Sequence, residues 1–165
     1  MSKPDMTCSH EGCHEPGRKH MTNDQHIGTV GEFYDTHPIN EQQIIDKLHN
    51  DRVELSTITE DILQNYDQDH FGGVSANDAL AALGGIDDGC HVLDVCCGMG
   101  GPSRYLAHNY GCRVTGIDLT ESRIDGAMRL TAMAGLDDRV TFQQANALEL
   151  PFDDGFFDVV ISQEA

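Results

Sequence analysis

Between residues 31 and 89, apolar side chains recur at the three- and four-residue spacing that is typical of short amphipathic helices. Asn40 belongs to the residue types that cap helix N-termini, and the apolar residues after it share one helix face. These residues are Ile44, Ile45 and Leu48. Further helices are predicted to begin at Thr59 and at the capping-box sequence that starts with Ser75. We expect this helical region to pack over one side or edge of the sheet that follows it.

From Cys90 onward the pattern changes to strands that alternate with helices. Strands are predicted over residues 91–95, 113–117, 139–142 and 157–161. Helices are predicted over residues 102–110 and 121–134. Strands separated by helices pair in parallel through right-handed crossovers, so the expected fold class is α/β with a parallel sheet. The last strand is rich in β-branched residues and is suited to burial on both faces.

Residues 1–30 are polar and show no periodicity, which predicts a mobile tail. The tail nevertheless contains several residues of the types that bind zinc. They are Cys8, His10, Cys13, His14, His20 and His26. Their spacing is less regular than that of known zinc modules, so a tail without metal is favoured and a small zinc site stays open as the alternative.

The chain of 165 residues carries 28 Asp and Glu against 10 Lys and Arg, a formal charge of −18. Such a charge repels phosphate backbones and anionic lipid, so neither nucleic acid nor a membrane surface is an expected partner. No apolar run approaches the roughly 20 residues of a membrane helix, and the first residues lack the apolar stretch of a signal peptide. We therefore expect a cytoplasmic protein whose six cysteines are reduced thiols.

A glycine-rich turn follows the first predicted strand, and a helix begins directly after it. The glycines in this turn, Gly98, Gly100 and Gly101, let a ligand approach the main chain closely. Ser103 occupies the third glycine position of a dinucleotide fingerprint, and no P-loop sequence is present. Asp94 precedes the turn and would repel a pyrophosphate, whereas it would attract an ammonium or sulfonium group. S-adenosylmethionine carries both of these cations.

The loops after the next three strands carry further polar residues at the same edge of the sheet, where open α/β folds bind ligands. Asp118 follows the second strand and can accept hydrogen bonds from ribose hydroxyls, with Leu119 beside it. Asn146 and Ala147 follow the third strand, and Gln163 follows the fourth. Alternatively, Asp118 only caps the helix that begins near it, and Asn146 is an ordinary loop residue.

With these residues in place, the chain from Gly31 onward resembles the class I S-adenosylmethionine-dependent methyltransferases of the small-molecule type. Residues 92–106 resemble the family's first motif, Asp118 its ribose-binding acid, and Asn146-Ala147 its adenine-loop pair. Residues 150–152 and 157–160 resemble the run through its fourth strand. The resemblance implies a Rossmann-like sheet preceded by a helical cap, with S-adenosyl-L-methionine as cofactor and a small molecule as methyl acceptor.

Phe33-Tyr34-Asp35 and residues 66–73 resemble the cap of the sarcosine and dimethylglycine N-methyltransferases and their relatives. In the wider family this cap closes over cofactor and substrate. The resemblance therefore implies that Tyr66 and His70 lie at the reacting centre, and that the acceptor is a small amine. The alternative for His70 is a loop histidine that is bonded to its own neighbours.

Two residues depart from the family pattern. The family usually has glycine where this chain has Cys96, and aspartate where it has Asn146. Cys96 is small, and we expect it to be tolerated if the backbone there has ordinary angles. Asn146 keeps a hydrogen-bond acceptor and loses a charge, so we expect weaker but persistent adenine binding.

Members of the family normally continue beyond the fourth strand with three more strands, which hold much of the substrate pocket. A fourth strand at the sheet edge exposes unpaired backbone. The sequence therefore predicts a truncated chain, a fragment, or half of a complementing pair that associates through this strand. Two other functions stay open: a cofactor-binding domain without turnover, and a nicotinamide-dependent oxidoreductase.

Overall fold

The computed structural model describes residues 23–35 and 40–164. Residues 1–22 of the predicted tail, with Cys8, His10, Cys13, His14 and His20 of the zinc alternative, lie outside the described residues, whereas residues 23–30 belong to a helix. The helices are α1 (Asn23–Asp35), α2 (Glu41–Asn50), α3 (Glu60–Leu63), α4 (Gly73–Gly84), α5 (Gly101–Tyr110) and α6 (Glu121–Ala134). The strands are β1 (His91–Val95), β2 (Arg113–Asp118), β3 (Val140–Gln144) and β4 (Val159–Ser162).

The four strands form one parallel sheet in the order β3-β2-β1-β4. Asp94 of β1 lies beside Gly116 of β2, and Gly116 lies beside Phe142 of β3. The predicted parallel α/β fold with a Rossmann-like sheet is therefore confirmed. The carboxyl ends of all four strands meet at one edge, as the site prediction requires.

β4 does not have the double burial that its β-branched sequence predicted. It pairs with β1 and is the outer strand of the described sheet. Ile161 is buried, whereas the Val160 side chain on the opposite face is 62% exposed. The prediction was wrong because burial depends on a neighbouring layer, and no described element covers this face of the strand.

The helical cap packs on α6 through an apolar cluster of its own. The backbone N–H of Gln43 donates to Asn40 Oδ1 at 3.0 Å, which confirms the predicted cap of α2. The apolar face of α2 is fully buried against side chains from α3, the glycine-rich turn and α6. The residues that pack together are Ile44, Leu48, Leu63, Met99 and Leu130. Through this cluster the cap packs on α6 and the glycine-rich turn, and Ala81 of α4 shares the other core cluster with Val92 of β1.

Two helix starts differ from the sequence prediction. α1 begins at Asn23, eight residues before the boundary expected at Gly31. α4 begins at Gly73 instead of after Ser75, because Gly72 adopts a φ of +92° that turns the chain into the helix. The Ser75 hydroxyl donates back to the Gly72 carbonyl at 2.7 Å instead of capping a helix that starts after it.

The four cysteines in the described part of the chain, Cys90, Cys96, Cys97 and Cys112, are free thiols, as predicted. None of the described helices has the length and apolar character needed to cross a membrane.

Candidate functional site

A cavity of about 500 Å³ lies between the carboxyl edge of the sheet and the helical cap. This volume is in the range of roughly 300–1,000 Å³ that small-molecule sites occupy. Eight of the ten site residues predicted from the sequence line it. They are His70, Asp94, Gly98, Asp118, Leu119, Asn146, Ala147 and Gln163. The fold thus brings together residues from the cap and from the loops after all four strands.

Two predicted site residues lie away from this cavity. Gly100 is not among the residues that line it. Instead, Gly100 packs against the ring of Phe142, from which an added Cβ would lie only 2.5 Å away. Gly100 is therefore needed for packing against Phe142 and not for close approach of a ligand. Tyr66 is also absent from the cavity wall, and its hydroxyl donates to Asp51 Oδ2 at 2.9 Å. The structure does not bring Tyr66 together with His70 at a reacting centre.

Asp94 is a buried acid at the end of β1, with 2% of its surface exposed. The Ser103 hydroxyl donates to Asp94 Oδ2 at 2.6 Å. Burial raises the pKa of Asp94 to about 7, although the Ser103 hydrogen bond opposes the shift. A cation bound in the cavity would favour the carboxylate and replace part of the lost hydration. Ser103 was seen in the sequence only as a departure from a dinucleotide fingerprint, yet it positions the acid of this site.

We expect the free energy of unfolding to fall as the pH rises from about 4 to about 8. Burial raises the pKa of Asp94 to about 7 and that of Glu60 to about 8, so the folded chain keeps protons that the unfolded chain has lost. One pKa unit corresponds to about 1.4 kcal/mol, so each of the two groups contributes a loss on the order of a few kcal/mol. Urea unfolding at pH 5 and pH 8 measures it. Asp94→Asn should flatten the slope, and an unchanged slope would show that Asp94 does not titrate in this range.

Asp118 organises the backbone of the cavity from the end of β2. Its Oδ2 accepts the Gly98 N–H at 3.0 Å, and its Oδ1 accepts the Thr120 N–H at 2.9 Å. The second contact satisfies a backbone N–H at the start of α6, in line with the capping alternative. A carboxylate has about four acceptor positions, so each oxygen can still accept a further hydrogen bond from a ligand hydroxyl.

Asn146 similarly combines a loop contact with a place in the cavity wall. Its Oδ1 accepts the Leu148 N–H at 3.0 Å, which closes the turn after β3. The side-chain amide group is a donor that remains suited to a ligand in the cavity. Both interpretations of Asn146 made from the sequence are thus compatible with its geometry.

Cys96 has a φ of +62°, in the left-handed region that favours glycine. The condition under which Cys96 was expected to be tolerated, ordinary backbone angles, is therefore not met. The sequence shows that the residue is small, but it does not show the dihedral angles of the turn between β1 and α5. Cys96 is an exposed residue that borders the cavity. Partial burial of its thiol, together with the charges of Asp118 and Asp94, raises the pKa of Cys96.

Cys96→Gly is expected to raise the free energy of unfolding by up to about 1 kcal/mol. A left-handed conformation costs a residue with a Cβ about 1–2 kcal/mol, which exceeds the entropy that glycine adds to the unfolded chain. The thermal midpoint of the two proteins measures the gain. Cys90→Gly is the control, because Cys90 has a negative φ and its replacement should destabilise the fold. A destabilised Cys96→Gly variant would contradict the strain.

His70 borders the cavity on a segment of the cap, residues 67–71, which we name the strap and from which Asp67 and Asp69 also line the cavity. Its Nε2 lies 3.0 Å from Gln68 Oε1, and its Nδ1 lies 3.4 Å from the Phe71 carbonyl oxygen. The interpretation of His70 as a loop histidine bonded to its neighbours therefore agrees with the geometry, while its place in the cavity wall agrees with the site interpretation. At the end of the strap, the Phe71 N–H donates to Glu164 Oε1 at 2.6 Å.

Two arginines that the sequence analysis did not single out lie at this site. Arg123 of α6 borders the cavity, and its Nη1 lies 4.0 Å from Asp69 Oδ2 of the strap. Arg104 of α5 is fully buried behind the cavity and contacts Asp67 and Glu60 of the cap. The sequence did not predict the burial of Arg104, because a basic residue within a helix is usually exposed and its acidic partners are distant in the sequence.

The methyltransferase-domain family model matches residues 92–165, which contain β1, the glycine-rich turn and the three following strands. Residues 92–165 are thus similar to a methyltransferase domain. The acids and amide groups around the cavity suit S-adenosyl-L-methionine, which is its cofactor, because Asp94 can pair with a cationic group and Asp118 can accept hydrogen bonds from hydroxyl groups.

Two curated methyltransferases illustrate the range of its relatives. A probable chloroplastic tocopherol O-methyltransferase of Oryza sativa subsp. japonica is 50% identical over 74 residues, which cover 45% of this chain and 20% of that protein. The sarcosine/dimethylglycine N-methyltransferase of Halorhodospira halochloris is 39% identical over 75 residues, which cover 46% of this chain and 27% of that protein. The matched region of this chain thus corresponds to only about a quarter of the length of these two relatives.

A solved structure agrees with the fold and the cofactor of the domain. The RNA methyltransferase of Salinibacter ruber, in complex with S-adenosyl-L-homocysteine, is 25% identical with a TM-score of 0.50. The match covers 53% of this chain and 56% of that chain. The names of these relatives refer to acceptors of different chemistry. The similarity therefore indicates the methyl donor but not the methyl acceptor.

Proposed function

We propose that this chain provides the S-adenosyl-L-methionine site of an enzyme that methylates a small amine. The observation that carries the proposal is the charge of the cavity wall. Its acidic residues are Asp67, Asp69, Asp94, Asp118 and Glu164, whereas Arg123 is the one Lys or Arg among the described lining residues. Such a wall favours cationic ligands at both ends of the cavity: a sulfonium donor beside Asp94 and an ammonium acceptor beside the strap.

The roles of the residues follow from the needs of methyl transfer. The bound cofactor supplies an activated methyl group, so much of the barrier reduction comes from holding the acceptor in line with it. An amine that reaches the site neutral needs no strong base. Asp69 of the strap and Glu164, which is bonded to the strap, line the cavity and bind the amine in its protonated form before it loses its proton to solvent. The strap forms part of the cavity wall and keeps water away from the bound amine.

O-methylation of a phenol is a second candidate, supported by the tocopherol relative at 50% identity. A phenol needs a general base within reach of its hydroxyl. His70 and Glu164 are the candidates in the wall. Both are already engaged, since His70 contacts Gln68 and Phe71 while Glu164 accepts the Phe71 N–H. This engagement favours the amine.

Two measurements test the proposal. Calorimetry with S-adenosylhomocysteine and with NAD should show binding of the first only, and Asp118→Ala should weaken it by at least about 1 kcal/mol, or roughly fivefold. Preference for NAD would reverse the donor assignment. Methyl transfer from labelled cofactor should then favour sarcosine or dimethylglycine over a phenol. Cofactor binding without transfer to any acceptor would instead support a binding domain without turnover.

A further inference from the structure

Arg104 is the largest fully buried side chain of the described residues. Its Nη1 donates to the Met99 carbonyl oxygen at 2.9 Å and to Thr131 Oγ1 at 3.1 Å. Its Nη2 donates to Asp67 Oδ2, and its Nε lies 3.3 Å from Glu60 Oε2. One guanidinium therefore connects the glycine-rich turn, α6 and two acids of the cap.

Two of these partners belong to the wall of the cofactor cavity, although Arg104 does not. Met99 lies in the glycine-rich turn, and Asp67 begins the strap on the facing side. The two walls touch beside Arg104: a Cβ added to Gly101 would lie 2.5 Å from the Asp67 carbonyl oxygen. The position of each wall is thus set by the same buried side chain.

The chemistry of this contact requires arginine specifically. A guanidinium presents five N–H donors in a planar fork, whereas a lysine ammonium presents three donors at a single point. Arg104 uses this fork in different directions, toward Met99 on one side and toward Asp67 and Glu60 on the other. Lysine would keep the charge but could not hold both walls at once.

We propose that Arg104 is a positioning residue of the cofactor site, which holds the glycine-rich turn and the strap at the separation that the cofactor requires. The inference rests on the proposed function, because it concerns affinity for the same cofactor. It predicts that cofactor binding depends on a side chain that does not contact the cofactor.

The test measures S-adenosylhomocysteine affinity by calorimetry in Arg104→Lys, Asp67→Asn and the double variant. Each single variant should lower affinity at least tenfold. The double variant should lose little more than either one, because both changes break the same link. Losses that multiply would show that Asp67 and Arg104 act independently and would overturn the proposal. Circular dichroism confirms that each variant is folded at the temperature used.

The matched control is Arg129→Met. Arg129 of α6 donates to both Glu41 carboxylate oxygens at 2.7–2.9 Å and so also joins the cap to the methyltransferase domain, but neither residue borders the cavity. Its affinity should stay within twofold of the unmodified chain. An equal loss in Arg129→Met would assign the effect to cap docking in general and would overturn a specific role for Arg104.

Hydrogen exchange of the cofactor-free chain gives a readout that does not depend on binding. In Asp67→Asn, amide exchange should accelerate at residues 98–101 and 67–71 together, whereas in Arg129→Met it should not. Unchanged exchange at both segments would refute the link between the walls. If the unmodified chain fails to bind S-adenosylhomocysteine, the proposed function fails, and the exchange data alone decide whether Arg104 couples the two segments.

Discussion

Arg104→Met is expected to lower the free energy of unfolding by about 3–5 kcal/mol, the cost of removing one partner from a buried ion pair. The variant leaves Asp67 and Glu60, which are 2% and 1% exposed, without their guanidinium partner. Burial raises the pKa of Glu60 to about 8, so at pH 7 the uncompensated charge is that of Asp67. Methionine fills much of the volume of arginine, so the loss reports this carboxylate more than a cavity. Urea unfolding at pH 7 measures it.

The exposed pair provides the comparison for this prediction. Arg129→Met breaks an ion pair whose arginine side chain is 55% exposed, and it should cost less than about 1 kcal/mol. Adding Asp67→Asn to Arg104→Met should restore part of the lost stability, because an amide is less costly to bury than an unpaired carboxylate. Equal losses in the Arg104 and Arg129 variants would argue against a buried charge cluster.

Gly116→Ala is expected to cost about 1–3 kcal/mol, the usual range for overpacking a core. Gly116 lies in the middle of β2, and its added Cβ would lie 2.6 Å from the Phe142 ring and 3.0 Å from Cys97 Sγ. The ring also packs closely on Gly100, where an added Cβ would lie 2.5 Å from it, so it has little room to move away. Thermal unfolding measures the loss.

A double variant separates this steric effect from the change in strand propensity. Phe142→Leu should be destabilising in the natural background but should cost much less once Gly116→Ala is present, because the shorter side chain relieves the clash. Gly135→Ala is unsuitable as a control, because Gly135 has a φ of +70° and alanine would be strained there. Additive losses in the double variant would contradict the proposed contact between Gly116 and Phe142.

Much of the fold was predictable because its elements are defined by local patterns. β1 and α6 have the predicted limits to within a residue, since a strand between polar turns and a helix closed by Gly135 each leave a clear sequence pattern. The parallel pairing followed from the alternation of strands and helices. The cavity residues after each strand were predictable for the same reason, since parallel strands bring their carboxyl ends to one edge.

The features that were missed depend on distant contacts or on dihedral angles. Arg104 meets Asp67 across 37 residues of sequence, and no periodicity links the two. The burial of β4 depends on which layer covers it, so its β-branched sequence was misleading. The left-handed angles of Cys96 and the Gly72 turn into α4 are properties of particular turns, which residue type alone did not reveal.

The hydrogen bond from the Phe71 amide to Glu164 spans 93 residues of sequence. Closing so long a loop carries a large entropic cost, which is repaid only after β4 has joined β1. We therefore expect this bond to form among the last events of folding and, being solvent-exposed, to break among the first during native-state fluctuations. We consequently expect the contact between the strap and Glu164 to open more often than the rest of the cavity wall, and ligand exchange to begin there.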